Sequence, residues 1–221
     1  RCEILFRFRY EYLIRLYKCL QIPADCILEN GTHVDGEELM LFSLCRLTYP
    51  DRLHTMTTDL WGKEESEWSR AFKYFNLFIY NEHGFRLTDN FNFRVPYFPA
   101  MADAIQQKLV QLGVNYEENE QQVIACFLDD TVREICRPGA GPYSRRIEGM
   151  NELQRAFYSG WLGIHAVVWQ TVDSPYGMII NAWGPGAGRH QDRYRVRESG
   201  INEKMRDAQI GNQVQYKMFG D

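Results

Sequence analysis

No stretch of this chain approaches the roughly 18 to 20 consecutive apolar residues that span a membrane. The densest early run, from Arg1 to Pro23, is interrupted by Arg7, Arg9, Glu11, Arg15 and Lys18. It reads as an amphipathic helix and not as a secretion signal, which needs a continuous apolar centre. The six cysteines (Cys2, Cys19, Cys26, Cys45, Cys126 and Cys136) form no CxxC pair and no zinc-finger spacing. Most lie inside apolar runs, where a reduced cysteine behaves as a small buried hydrophobe, so no disulfide framework is expected. Repeats and low-complexity tracts are also missing. A composition of 45% hydrophobic and 24% charged residues excludes disorder and a collagen-like chain. The expectation is a soluble, intracellular protein. Its 221 residues suffice for one sizeable core, or for a small helical domain attached to a larger mixed one.

The net charge of −4 argues against a uniformly basic nucleic-acid binder, but it hides an asymmetry. Between Arg137 and Arg197 stand eight arginines (137, 145, 146, 155, 189, 193, 195 and 197) against four acids, Glu148, Glu152, Asp173 and Asp192. The preceding stretch is acidic, with Glu117, Glu118, Glu120, Asp129, Asp130 and Glu134. A basic surface beside an acidic site suits a metal-dependent phosphodiester enzyme; a solvated basic face is the other reading of the same charges. The chain starts at Arg1 without a methionine and stops at Asp221, directly after YKMFG. It is expected to be a fragment of a longer protein.

The first half has a helical period. Phe6, Tyr10, Leu13, Ile14 and Tyr17 recur at the spacing of one helix face. A second helix is predicted from Gly36 to about Thr48 with Asp35 as N-cap. A short third helix opens at Pro50, because proline suits a first turn. A longer one runs from Glu64 to about Asn81, and another from Pro96 to Leu112. From Gln121 the period changes. QVIACFLD and TVREIC read as strands around a turn at Asp130, GIHAVVWQTV and YGMIINAW as two more joined by a DSP turn, and VQYKMF as a last strand. A short helix is expected over 191–199. The pattern predicts a helical region over 1–119 and an α/β sheet domain over 120–221.

Two apolar strands each end in an aspartate, VIACFLD at Asp129 and VQYKMFGD at Asp221. If they lie side by side and parallel, their carboxylates share one end of the sheet. Two carboxylates that close do not both ionise cheaply without a cation between them, and hard divalent Mg²⁺ or Mn²⁺ prefers carboxylate oxygen. Such metals activate water or a 3′-hydroxyl and stabilise the leaving oxygen of a phosphodiester. The plain alternative is that aspartates end strands as turn residues.

Four segments in order carry a resemblance. FLDDTVREICRP (127–138) is similar to the IDGT…RP strand-turn-strand of PIF/Harbinger-type DDE transposases. QRAFYSGWLGIHAVVWQTV (154–172) resembles their segment in which a tyrosine and a histidine precede a KFQ strand. GMIINAWGPGAGRHQD (177–192) resembles their GP…G…D motif, and FGD (219–221) their GDxxY. More weakly, residues 35–75 resemble the family's helix-turn-helix-like region. The resemblance implies a ribonuclease H-like mixed sheet domain, incomplete at its C-terminus. It implies Asp129 and Asp221 as catalytic metal ligands for Mg²⁺ or Mn²⁺, with a third acid, a glutamate, beyond residue 221. It further implies DNA as substrate, a nuclear setting and often a separate Myb-like DNA-binding partner. The chain departs from the pattern at Asp130, where the family has glycine, and at Trp169, where it has phenylalanine.

Other residues have two readings each. Asp192 either contacts the metal through water or caps the helix that follows, and capping is the expectation. Arg189 and His190 sit in the same loop as candidate phosphate contacts, since arginine offers a planar fork, or as ordinary loop residues. Arg137 either reaches DNA or is solvated. His165, mid-strand, is expected in the core and not as a ligand. A recognition helix would be sought at 64–81, yet residues 51–70 carry three basic and five acidic residues, which is poor for phosphate contact. Its aromatic stripe is expected to be core. The function expected is metal-dependent DNA cleavage by a transposase-derived endonuclease. The rival is a domesticated, non-catalytic DNA- or protein-binding scaffold on the same fold.

Overall fold

The computed structural model describes residues 2–49, 52–57, 61–88, 91–114, 122–139 and 150–220. Two compact units divide between Phe85 and Arg86.

The first unit holds α1 (Cys2–Phe6), α2 (Tyr10–Leu20), the β1–β2 hairpin (Asp25–Ile27 and His33–Asp35), α3 (Gly36–Thr48), α4 (Leu53–Met56) and α5 (Glu65–His83). The expected first helix is broken at Arg7, whose φ of 58° is left-handed. Sequence periodicity missed the hairpin, whose strands are three residues each. Helix α3 begins as expected. Asp35 has extended backbone and its side chain accepts from the Glu38 amide at 2.9 Å, which satisfies an N–H that the first turn leaves free. Gly36 then presses against the carbonyl of Pro23 so closely that a Cβ would overlap it.

This unit's core joins both hairpin strands to α3 and α5 through Cys26, Val34, Leu39, Phe42, Trp68 and Phe75. Phe42 stacks on Trp68 at 4.0 Å, and Trp61 meets both rings edge-on at 5.6 Å. The aromatic stripe of α5 is therefore core. Lys63, one of the few cations near it, is engaged by Glu38 at 2.9 Å and Glu67 at 3.7 Å.

The second unit is mixed α/β. It comprises α7 (Phe98–Gln111), β3 (Gln122–Glu134), α8 (Met150–Phe157), β4 (Tyr158–Ser159), β5 (Ile164–Asp173), β6 (Ile179–Ala187), α9 (Asp192–Ser199), α10 (Ile201–Asp207) and β7 (Gln215–Phe219). A helical turn, α6 (Phe85–Thr88), spans the division between the units. Residues 91–93 and 95–97 form short 3₁₀ turns, so no described residue between 86 and 95 joins a sheet. The division at Phe85 falls well before the change of period at Gln121. The reason is burial: Phe91, Phe98, Met101 and Ala102 share one core with Ala125, Cys126, Val172, Ile180, Ile201 and Met205. A helix period identifies α7 but not the surface it covers.

Strand β3 is the centre of the sheet. It pairs antiparallel with β5, from Phe127 opposite Asp173 to Glu134 opposite Ala166. It pairs parallel with β7, from Gln122 beside Gln215 to Phe127 beside Phe219. β6 and the short β4 both pair antiparallel with β5. The five strands thus form one mixed sheet with a single parallel junction. The turn expected at Asp130 does not exist. Asp129 and Asp130 sit inside one continuous strand, opposite Thr171 and Gln170, because their backbone groups are used by the ladder and the Asp130 charge is met from another element. The extra residue of β3 lies instead between Ile124 and Cys126, where a bulge shifts the register against β7. Among the described residues no helix is long and apolar enough to cross a membrane.

Candidate functional site

A cleft of about 980 Å³ opens over the middle of the sheet. Leu128, Asp129 and Asp130 of β3 line it, with Gly220 just after β7. The β4–β5 turn contributes Ser159 to Leu162. The segment after β6 contributes Gly188 to Gln191, and α9 contributes Asp192, Arg193 and Arg195.

The glycines of GPGAGRH bring that segment to the cleft. Gly184 has a φ of 139°, and a Cβ there would stand 2.9 Å from the Val168 carbonyl oxygen, so only glycine fits. Strand β6 consequently continues past Trp183 to Ala187, with a register shift where Gly184 and Pro185 are accommodated. At Gly188 a Cβ would meet the carbonyl oxygens of Ala166 at 2.5 Å and Phe157 at 2.7 Å. This close approach seats Arg189, whose amide donates to Ala156 O at 3.2 Å.

Arg195 is the organising side chain, and sequence reading did not single it out. Its Nε donates to Asp130 Oδ2 at 2.8 Å, while its other nitrogens donate to Asp192 Oδ1 and the His190 carbonyl. The Arg195 side chain is 6% exposed and that of Asp130 14%. One guanidinium therefore ties α9 and the loop before it to the central strand, each of its three nitrogens meeting a different partner. Burial pushes the Asp130 carboxyl above its ordinary value. Arg195 pulls it back down, and Asp192 adds to the rise. The Asp130 Oδ1 is buried with no hydrogen-bond partner. Nearby, Ser199 Oγ donates to Gln170 Oε1 at 2.6 Å, a second polar tie from α9 to the sheet, this one to β5.

Asp192 does not cap α9. Gln191 occupies the N-cap position and Asp192 is the first helical residue. Its carboxylate turns to Arg195 three residues on, as the i,i+3 spacing allows. Arg189 Nε donates to His190 Nε2 at 3.1 Å. Burial first, then the charges of Arg189 and Arg195, lower the His190 pKa, so its ring is neutral at pH 7 and Nε2 accepts. Tyr194 lies 3.9 Å from the His190 ring.

Asp129 is exposed at the edge of the cleft, and its Oδ1 accepts from the Asp130 amide at 2.8 Å. The cleft gathers Asp129, Arg189, His190 and Asp192. Arg137 is placed elsewhere: its guanidinium donates to Gln154 Oε1 of α8 at 2.9 and 3.3 Å. His165 is half-buried, 5.3 Å from the Tyr158 ring. Asp221 lies outside the described residues, and with it the expected approach of its carboxylate to Asp129. Among the described residues no group of three histidine, cysteine or acidic side chains is arranged to hold a metal ion. Among the described carboxylates of the cleft, Asp129 is the one that Arg195 does not engage, and a divalent ion needs further oxygen ligands besides it.

All six cysteines are free, and Cys126 is buried deeply enough to push its thiol up to about 12. It is packing, not a nucleophile.

Compared with known proteins, the chain matches no protein-family model, no curated protein and no solved structure.

Proposed function

We propose that the second unit is a ribonuclease H-like nuclease domain of the DDE transposase kind, which cleaves DNA phosphodiester bonds with Mg²⁺ or Mn²⁺ held by Asp129 and Asp221. The observation that carries the reading is the parallel junction. Phe127 pairs with Phe219, and two residues beyond each are Asp129 and Asp221. The strand arrangement supports it further. In chain order, β3, β5 and β6 are antiparallel neighbours, followed by helices and then by β7, which is parallel to β3, an order in which ribonuclease H-like domains place their acids on the central and the parallel strand. A bound divalent ion would supply Lewis-acid activation of water and stabilisation of the leaving oxygen. Arg189 and His190 contribute contact with the DNA phosphates. DNA, a Myb-like partner and a nuclear setting belong to this reading through the resemblance.

The rival scaffold reading has one observation in its favour: the two other described carboxylates that line the cleft, Asp130 and Asp192, are engaged by Arg195. Mn²⁺ titration of the 221-residue chain by calorimetry separates the two. Loss of a group that only hydrogen-bonds to a metal ligand costs roughly 10–100-fold in metal affinity, so Asp129→Asn and Asp221→Asn should each weaken binding at least that much. Asp192→Asn should leave it unchanged. Equal Mn²⁺ affinity in wild type and Asp129→Asn would overturn the metal-site proposal. Plasmid nicking with Mn²⁺ should be weak, because the resemblance puts a third acid downstream of Asp221. Robust nicking that Asp129→Ala abolishes would show that two acids suffice.

A further inference from the structure

Trp161 is 94% exposed, and its position is built rather than accidental. It stands at the tip of the β4–β5 hairpin, where Ser159 pairs with Ile164 and Tyr158 with His165. The turn is closed by the Gly163 amide donating to Ser159 O at 2.8 Å and the Leu162 amide to Ser159 Oγ at 3.4 Å. Gly163, with a φ of 70°, completes it. An indole carried on a short hydrogen-bonded hairpin has its faces open to solvent.

The same cleft that Trp161 lines carries Arg189 and Arg193, both exposed. Arg195 is occupied by Asp130 and Asp192, so among the described residues these two arginines are the cleft's outward-facing cations. Arg189 is oriented by the neutral ring of His190. Aromatic faces interleaved with backbone-tracking cations are how single-stranded nucleic acid is held without sequence readout.

We propose that Trp161 is a stacking platform for an unpaired nucleobase, so that the cleft receives a single-stranded or frayed segment of nucleic acid whose phosphates meet Arg189 and Arg193. A base inside a duplex has both faces covered by its neighbours and offers none to an indole. The platform therefore selects strand state. This inference rests on the nucleic-acid reading of the cleft and names the form of substrate it takes.

The test is fluorescence anisotropy with three labelled probes and the metal removed by chelation. The probes are a mixed-sequence single strand, the duplex of the same sequence, and a single strand of abasic sugars. Stacking is worth about tenfold in affinity per base, so the single strand should bind about tenfold tighter than the other two. Trp161→Ala should erase that advantage, and Trp161→Phe should keep most of it. Arg189→Ala and Arg193→Ala should weaken all three probes alike and flatten the salt dependence. Trp161 is at the surface, so these variants should retain the wild-type circular dichroism spectrum. An unchanged ratio of single strand to duplex in Trp161→Ala overturns the platform. In that case salt-dependent, arginine-dependent binding would remain and the nucleic-acid reading would stand. Absence of binding to every probe overturns both, and directs the exposed indole to a protein partner.

Discussion

Replacing Arg195 by leucine should cost the second unit about 3–4 kcal/mol at neutral pH, nearly all of it through Asp130. Asp192 is largely exposed, so its carboxylate returns to water when the guanidinium goes. Asp130 is largely buried and its only ion-pair partner among the described residues is Arg195. A buried charge stripped of its partner typically costs about 3–5 kcal/mol. The penalty has a ceiling, because Asp130 escapes it by taking up a proton. Starting from an unfolded pKa of 3.8, protonation at pH 7 costs about 4.4 kcal/mol, and at pH 5 only about 1.6 kcal/mol, at about 1.36 kcal/mol per pH unit. A carboxyl whose folded pKa is raised loses stability as pH climbs from the unfolded value through the folded one. Arg195 is the group that holds that folded value down. Without it the window widens upward, and the defect should shrink to below about 2 kcal/mol by pH 5. Urea denaturation at the two pH values, followed by circular dichroism, measures it. The double variant Arg195→Leu with Asp130→Leu should recover more than half of the loss, since apolar replacement of a buried pair is often neutral. A single-variant defect that is the same at pH 5 and pH 7 would refute the argument, because its origin would then be lost packing and not an unpaired charge.

Two further outcomes follow from the geometry. Gly36→Ala should destabilise the first unit by about 1–3 kcal/mol through overpacking against Pro23, read as a lower midpoint in thermal melts. The His190 ring should titrate below the ordinary histidine value in an NMR pH series, lowered by burial and by the charges of Arg189 and Arg195. Arg189→Ala should move that midpoint upward, because one of the charges that lowers it is removed; an unmoved midpoint would count against the contact between them.

Local signals made much of this fold legible. The Asp35 cap, the extent of α3, the β5–turn–β6 pair and β7 were all written in capping chemistry and apolar period. The failures have one character. Two adjacent aspartates in a polar context read as a turn, and what keeps them in a strand is an arginine 65 residues away. The role of Asp192 was obscured for the same reason, since its acceptor capacity goes to Arg195 and not to free amides. Arg195 looked like one of eight interchangeable arginines; burial distinguishes it, and no local pattern reports burial of a charged residue. Helix α7 was found by period yet joined to the wrong neighbour, because amphipathicity gives a face and not its counterpart. Trp161 counted only as part of a family-like segment, and its solitude in solvent became visible in three dimensions alone.

The bulge at Ala125 works as a vernier. β3 serves two neighbours along different portions of its length: its first half is counted off against β7, its second half against β5. One surplus residue reconciles the two scales, and in doing so decides which side of the sheet each later side chain faces relative to β7. Were the chain one residue shorter there, both pairings would survive without a shift, Ile124 still beside Lys217 and Cys126 beside Met218. What the surplus residue changes is the alternation: Lys217 and Met218 are consecutive and face opposite sides of the sheet, so Ile124 and Cys126 beside them do too, although they stand two apart in their own strand.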